Sequence, residues 1–181
     1  MIRDAREEDR DAVRELTLRA YAEYARVMAP SAWAGLEGAI HRALDEDAAA
    51  ERIVAEHDGK LVGSVMLYPP ETDAYGGAAN AAPWPELRLL AVSPDARGMG
   101  VGQALVDECV RRARAGGATE LGLHTSQSMR AALRMYERMG FVRAPEHDFH
   151  PDGAEHVWGF RLDLTHRDET QMKSSQADDA R

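Results

Sequence analysis

The chain is 181 residues long, which suits a single domain of ordinary size. Its 31 acidic and 22 basic side chains leave a net charge of −9, which argues against nucleic acid as a partner because phosphates require basic surface. Cys109 is the only cysteine, so an internal disulfide framework is excluded. The first residues form no apolar leader, and no apolar run approaches the roughly 20 residues of a membrane span. We therefore expect a cytoplasmic protein without a membrane partner.

The first third of the chain predicts an edge strand and two helices. The strand starts at Ile2, and a helix follows whose apolar residues recur at helical spacing between residues 13 and 24. Pro30 and Ser31 mark a break and the N-cap of a second helix, which extends to about residue 50.

A hairpin and a long loop come next. Segments 53–56 and 61–68 are rich in strand-forming residues, and Asp58-Gly59 between them is a strong signal for a tight turn. Residues 69–85 contain four prolines and two glycines and read as a loop, and long loops inside a compact domain are often functional.

The rest of the chain again mixes strands and helices. Strands are predicted at 86–92, 120–125, 141–143 and 157–162, and helices at about 100–115 and at 128–139. Because the two kinds of element do not alternate strictly, we expect a layered α/β (α+β) domain over residues 1–164 rather than a barrel. Residues 165–181 lack every large apolar side chain except Met172 and predict a disordered polar tail.

A glycine-rich turn, Arg97-Gly98-Met99-Gly100-Val101-Gly102, lies between a predicted strand and a predicted helix. Glycines in such a turn let the backbone approach a ligand, and the following helix adds its positive N-terminal end. The turn therefore predicts a phosphate cradle. It lacks the Gly-Lys-Ser/Thr of a P-loop, and Gln103 stands where a dinucleotide fingerprint needs glycine.

The strand, this R-G-x-G-x-G turn and the helix together resemble the acetyl-coenzyme A site of the GNAT superfamily of N-acetyltransferases. A second motif about 35 residues later fits the family's "A..lYe+.GF" signature, in Ala132, Met135, Tyr136, Glu137, Arg138, Gly140 and Phe141. The resemblance covers residues 1–163 in arrangement and is sharpest over 86–142. It implies a GNAT-like fold, with a mixed, mostly antiparallel central sheet flanked by helices and splayed near Val92 to admit the cofactor.

The resemblance also implies how acetyl-CoA, the expected co-substrate, is held. The backbone of Leu90, Ala91 and Val92 would pair with the pantetheine arm. Amides of the glycine-rich turn would hold the pyrophosphate, and they belong to Arg97, Gly98, Met99, Gly100, Val101 and Gly102. Many family members have an Asn seven residues before the tyrosine, where this chain has Met129, so Ser126 or Ser128 is expected to replace that contact.

Two residues are expected to act on protons. Glu86, at the start of its strand, is the candidate general base for the acceptor amine, with an exposed strand-end carboxylate as the alternative. Tyr136 matches the tyrosine that protonates the departing thiolate in many family members, with simple packing under its helix as the alternative. The N–H of Leu90 or Ala91 would stabilise the oxyanion. His124 is either a second acid or base or a plain strand residue.

The resemblance implies transfer of the acetyl group to a primary amine, most simply that of a small molecule, by direct attack in a ternary complex. Transfer to a peptide N-terminus or a lysine is the alternative within the enzyme class, and a non-catalytic acyl-CoA sensor is the alternative outside it. A homodimer is possible, since dimers are common in the family.

A histidine-rich loop near the end of the domain contains residue types that bind metal ions. His147, His150 and His156 occur there with Asp148 and Asp152, but their spacing matches no firm ligand pattern. We expect a polar loop near the acceptor pocket and no metal.

Overall fold

The computed structural model describes residues 1–46, 49–77, 79–151 and 155–165. Within these ranges seven strands occur, β1 to β7, at Ile2–Asp4, Glu51–His57, Lys60–Tyr68, Glu86–Val92, Glu120–Ser126, Val142–Arg143 and Val157–Asp163. Four α-helices, α1 to α4, occupy Arg10–Tyr21, Pro30–Glu46, Val101–Ala115 and Arg130–Arg138. The predicted polar tail lies outside the described residues, except for Thr165.

The strands form one sheet in the order β1-β2-β3-β4-β5-β7-β6. Every neighbouring pair is antiparallel except β4 and β5. The first strand lies at one edge, as its sequence predicts. Helices flank the sheet, so the predicted mixed, mostly antiparallel fold is confirmed. No helix in the described ranges has the length and apolar character needed to cross a membrane.

Side chains that alternate along the strands divide the core into two layers. In β2 and β3, Ile53 and Val65 pack on one face with Leu105 and Cys109 of α3, whereas Val54 packs on the other face with α2. Successive side chains of a strand point to opposite faces of the sheet, and here apolar side chains are buried on both faces.

The hairpin between β2 and β3 turns at the predicted dipeptide. Asp58 and Gly59 have φ values of +49° and +72°. Two successive residues with positive φ are typical of the type I′ turn, whose twist matches that of the flanking strands.

The second helix starts two residues earlier than predicted, because Pro30 is its first residue and Ser31 lies inside the helix rather than at the N-cap. Proline has no backbone N–H. In the first turn this costs no hydrogen bond, because N–H groups there have no acceptor inside the helix.

The β4–β5 pair separates after only two paired positions, Glu86 with Gly122 and Leu87 with Leu123. In the same region, the register between β3 and β4 shifts between Ser64 and Met66, and Leu89 adopts a φ of +51°. An extra residue with this backbone conformation is a β-bulge, which bends its strand and increases its twist. The resemblance implies a splay near Val92; in the structure the two strands separate earlier, after Leu87, and leave a gap in the middle of the sheet.

Candidate active site

The glycine-rich turn connects β4 to α3, as predicted. Gly98 and Gly100 have φ values of +79° and +78°, and Gly100 caps the helix that begins at Val101. Within the described ranges, no side chain lies within 4 Å of the position that a Cβ would take on either glycine, apart from its chain neighbours. The backbone at the N-terminal end of α3 is therefore open to a ligand, and such an end favours negative charge.

The side chain of Arg97 is used inside the protein. It forms an ion pair with Glu23 at 2.6 Å and donates a hydrogen bond to the Ala20 carbonyl oxygen at 3.2 Å. These contacts attach the turn to the end of α1 and to the 3₁₀ segment Ala22–Arg26 that follows it. The guanidinium of Arg97 is thus engaged within the protein, and its backbone N–H donates to the Pro94 carbonyl oxygen at 3.4 Å.

A cleft of about 440 Å³ extends from this turn into the gap between β4 and β5. It brings together the predicted cofactor residues Leu90, Ala91, Val92, Arg97, Gly98, Gly100, Val101 and Gly102. Met99 is 56% exposed and is not among the lining residues. The cleft also reaches Arg138 of the second motif, and Tyr21 and Tyr24, which no motif of the sequence indicates.

Tyr136 lines the same cleft from α4. Its ring also packs edge-on against Phe141, with 5.6 Å between the ring centres. Tyr136 therefore contributes to packing under its helix as well as to the wall of the cleft. Burial raises the pKa of Tyr136 well above its usual value, so the phenol keeps its proton at every physiological pH. A protonated phenol beside the cleft has a proton to donate.

A second cavity, of about 280 Å³, adjoins the cleft on the side of α2. The two spaces share five lining residues, Tyr21, Leu89, His124, Thr125 and Met129. They therefore meet where β4 and β5 separate. Ligands in the two spaces would contact each other at this junction.

A buried polar network lies beside the junction. The carboxylate oxygen Oε1 of Glu86 is 3.1 Å from Nδ1 of His124, and both side chains are almost completely buried. The Tyr75 hydroxyl, from the predicted long loop, is 3.0 Å from the same nitrogen. Among the described residues that line these spaces, His124 lines both the cleft and the second cavity, and Tyr75 lines the second cavity. Glu86 is not among the residues that line either space.

The two ring nitrogens of His124 have different partners. Nε2 lies 2.8 Å from the His147 carbonyl oxygen, which only accepts, so Nε2 carries a hydrogen. Nδ1 lies between the Glu86 carboxylate and the Tyr75 hydroxyl. The alternative of Glu86 as an exposed strand-end carboxylate does not hold, because its side chain is inside the sheet.

The predicted replacement for the missing Asn takes a different place. Ser126 is the last residue of β5 and lines the second cavity rather than the cofactor cleft. Ser128 donates a hydrogen bond to Glu155. Met129 lines both spaces. The contact of Ser126 with the cofactor arm is therefore not supported by its position.

The histidine-rich loop makes structural contacts. The ring of His147 packs on Trp84 at 4.6 Å, His150 stacks on His156 at 5.5 Å, and Asp148 forms an ion pair with Arg143. Asp152 lies outside the described residues. Among the described residues, no group of three or more potential ligands is arranged to hold a metal ion.

The model of the acetyltransferase (GNAT) family matches residues 11–141, and the chain belongs to this family. The sequence-based family assignment is thereby confirmed, and so is the class of acyltransferases that use acetyl-CoA, at the level of the family.

Curated relatives are similar over part of their length. Mycothiol acetyltransferase of Nocardia farcinica is 35% identical over 139 residues, which are 77% of this chain and 39% of that protein. Amino-acid acetyltransferase of Ralstonia nicotianae is 31% identical over 144 residues, which are 80% of this chain and 29% of that protein. The chain spans 26% to 39% of the length of the first curated relatives that it matches.

Solved structures share the fold. A histone acetyltransferase and related acetyltransferase from Corynebacterium glutamicum has a TM-score of 0.66 and 24% identity, covering 93% of this chain and 98% of that one. A GNAT family acetyltransferase from Brucella melitensis in complex with acetyl-CoA has a TM-score of 0.55 and 22% identity, covering 87% and 94%. At these identities, the likeness concerns the fold alone.

Proposed function

We propose that this protein is an N-acetyltransferase that transfers the acetyl group of acetyl-CoA to a primary amine of a small molecule. The observation that carries the proposal is the junction of the two spaces at Leu89, His124 and Thr125. A cofactor in the cleft and an amine in the second cavity would meet there, in a ternary complex, without a covalent enzyme intermediate.

The glycine-rich turn and β4 are proposed to hold acetyl-CoA. Backbone amides at the start of α3 face an open space that suits a pyrophosphate, and the bulge at Leu89 separates the following residues of β4 from β5. The backbone of Leu90, Ala91 and Val92 is thereby available to the pantetheine arm. An N–H of Leu90 or Ala91 would stabilise the oxyanion that forms during attack.

The amine must lose a proton before it attacks. An amine with a pKa of about 10.4 is roughly 3.4 units above neutrality, which corresponds to about 4.6 kcal/mol. We assign the proton acceptor to Nδ1 of His124, reached directly or through the Tyr75 hydroxyl. Glu86 then acts as a positioning residue that stabilises the imidazolium, rather than as the base itself.

Tyr136 is proposed as the acid that protonates the departing thiolate. It lies in the cleft, and a phenol of ordinary pKa about 10 is already protonated at neutral pH. General acid catalysis of this kind contributes typically 10²- to 10⁴-fold.

A small acceptor is favoured by the size of the second cavity, whose 280 Å³ is at the lower limit for small-molecule sites. The relatives named for mycothiol and amino-acid acetylation agree with an acceptor of this kind. A structure named as a ribosomal-protein-S18-alanine N-acetyltransferase has the same fold, so a protein N-terminus is the competing acceptor. The homodimer stays a prediction.

The proposal is tested by calorimetric titration with acetyl-CoA, followed by thiol release against a panel of amines. A thiol reagent suits this protein, because burial raises the pKa of Cys109 to about 12 and keeps it unreactive. Binding with thiol release supports the transferase. If acetyl-CoA binds but neither small amines nor peptides cause thiol release, the acyl-CoA sensor is supported. If acetyl-CoA does not bind, the assignment of the cleft is overturned.

A further inference from the structure

The second cavity contains unmatched charges that describe its occupant. Resting on the acetyl transfer proposed above, we infer that the acceptor is a small amine that also carries a carboxylate, of the α-amino-acid type. The inference depends on residues that line the cavity: two arginines without an ion-pair partner among the described residues, and three buried oxygen atoms without a hydrogen-bond partner there.

Arg88 is the first unmatched group. It is half-buried in β4, its guanidinium lies 4.4 Å from the centre of the Tyr75 ring, and it donates to the Ala74 carbonyl oxygen. Among the described residues no carboxylate is within ion-pair distance of it. A partly buried cation is costly unless an anion accompanies it, and a guanidinium has five N–H donors to satisfy. The site therefore favours a ligand with an anionic group.

Arg42 adds a second cation to the same cavity. It extends from α2, is exposed, and likewise has no ion-pair partner among the residues that the structure describes. A planar guanidinium matches a carboxylate with two parallel hydrogen bonds. Arg88 and Arg42 thus provide an anion site that no acidic side chain in the described ranges occupies.

The three unpartnered oxygen atoms belong to Thr125, Ser126 and Glu155, which line the same cavity. The hydroxyls of Thr125 and Ser126 are 4% and 3% exposed and have no hydrogen-bond partner in the described structure. The Oε2 atom of Glu155 is also buried without a partner, while Oε1 accepts from Ser128. Buried polar atoms are rarely left unsatisfied, so a bound group is expected to satisfy them. An amine or ammonium has the hydrogens that they can accept.

The positions of these groups orient the acceptor. Thr125 lines both the cofactor cleft and the second cavity, and the Glu155 carboxylate is attached to Ser128, next to Met129 of the junction. The amine would therefore lie near the cofactor, with its carboxylate toward Arg88. The volume of 280 Å³ suits a free amino acid rather than a segment of a folded chain.

The test compares each α-amino acid with its α-amide and with its decarboxylated amine, in the thiol-release assay with saturating acetyl-CoA. Phosphoethanolamine serves as the probe for a phosphate in place of the carboxylate. We expect at least one amino acid whose kcat/KM exceeds that of its amide by tenfold or more. Arg88→Gln should remove this preference by raising KM for the acid, and Arg42→Gln, at an exposed position, should reduce it. Arg134→Gln, on the exposed surface of α4, is the matched control and should leave the preference intact.

The inference is overturned, while the transferase stands, if amides or simple amines are acetylated as well as the acids. It is overturned equally if phosphoethanolamine is preferred, or if both arginine variants retain the full preference. If no amine releases thiol, the transferase fails. Titration of the CoA-saturated protein with N-acetyl amino acids and their amides then decides separately whether the cavity selects a carboxylate.

Discussion

Glu86 and His124 face each other across the parallel pair of strands, with 3.1 Å between Oε1 and Nδ1. Glu86 is paired in register with Gly122, two residues before His124, so both side chains are on the same face of the sheet. Glu86 is the first of only two paired positions, so the contact lies close to the point where β4 and β5 separate. A buried acid–base pair is thereby held at the edge of the gap where two substrates would meet.

Glu86→Gln removes the negative charge at nearly constant size. We expect kcat/KM to fall at least tenfold, because the imidazolium formed on proton transfer loses its carboxylate partner. His124→Gln should lower kcat/KM by a larger factor, because it removes the proposed proton acceptor. Glu120→Gln, which changes a carboxylate bound to Arg161 outside the site, is the control. An unaltered kcat/KM in His124→Gln would assign the base to another group.

Tyr136→Phe removes one hydroxyl from the cleft. Turnover should fall by tenfold or more because the thiolate loses its proton donor, while the Kd for acetyl-CoA should stay within about twofold. In the described structure this hydroxyl makes no hydrogen bond to the protein, so urea denaturation should give nearly the wild-type stability. Unchanged turnover would leave Tyr136 with a packing role alone.

Gly100→Ala should weaken acetyl-CoA binding by more than tenfold in calorimetry, because a methyl group would project where the backbone faces the ligand. Gly117 provides a matched control at the other end of α3. The φ of Gly117 is +81°, compared with +78° at Gly100. A Cβ added at either glycine would have no neighbour within 4 Å among the described residues. Both variants should lose about 1–2 kcal/mol of stability to the left-handed backbone. An equal loss of affinity in both would contradict the proposed cradle.

Gly122→Ala tests how tightly Trp84 packs beside the network. An added Cβ would lie 2.2 Å from Nε1 of Trp84 and 3.2 Å from Oε1 of Glu86. The indole ring is rigid and buried, so we expect a loss of about 1–3 kcal/mol in urea denaturation, with lower activity as Glu86 moves. In α2, a Cβ added at Gly35 would have no neighbour within 4 Å among the described residues, apart from the adjacent helix backbone. Gly35→Ala should therefore leave the stability unchanged or raise it. A neutral Gly122→Ala would mean that the indole yields easily.

Asp9 makes the stability of the protein depend on acidity. Hydrogen bonds from Arg3 and from the Arg6 backbone lower its pKa from 3.8 to about 2. Because the folded-state pKa is below the unfolded one, the stabilisation is complete above about pH 4 and is lost as the pH falls toward 2. Urea denaturation at pH 5 and pH 3 should show a smaller pH-dependent loss in Asp9→Asn than in the wild type. An identical loss would assign the effect to other carboxyl groups.

Much of the architecture follows from local sequence. Asp58-Gly59 predicts the hairpin because few other dipeptides tolerate two positive φ values, and the structure has both. The turn at residues 97–102 predicts a strand-to-helix cradle for the same kind of reason. Here the conformation depends on which residues the backbone needs, so it can be read from the chain without knowing its neighbours.

The tertiary structure alone decided what surrounds that cradle. Arg97 turned inward to Glu23, Ser126 came to line the second cavity, and Leu89 took a left-handed conformation that glycine usually fills. The second cavity itself combines residues from Tyr21 to Val157. Spacing along the chain does not determine such long-range meetings, because they depend on how whole elements pack. The sequence by itself therefore determined the family, the order of the elements and the glycine-rich turn, whereas packing decided which side chains line the second cavity.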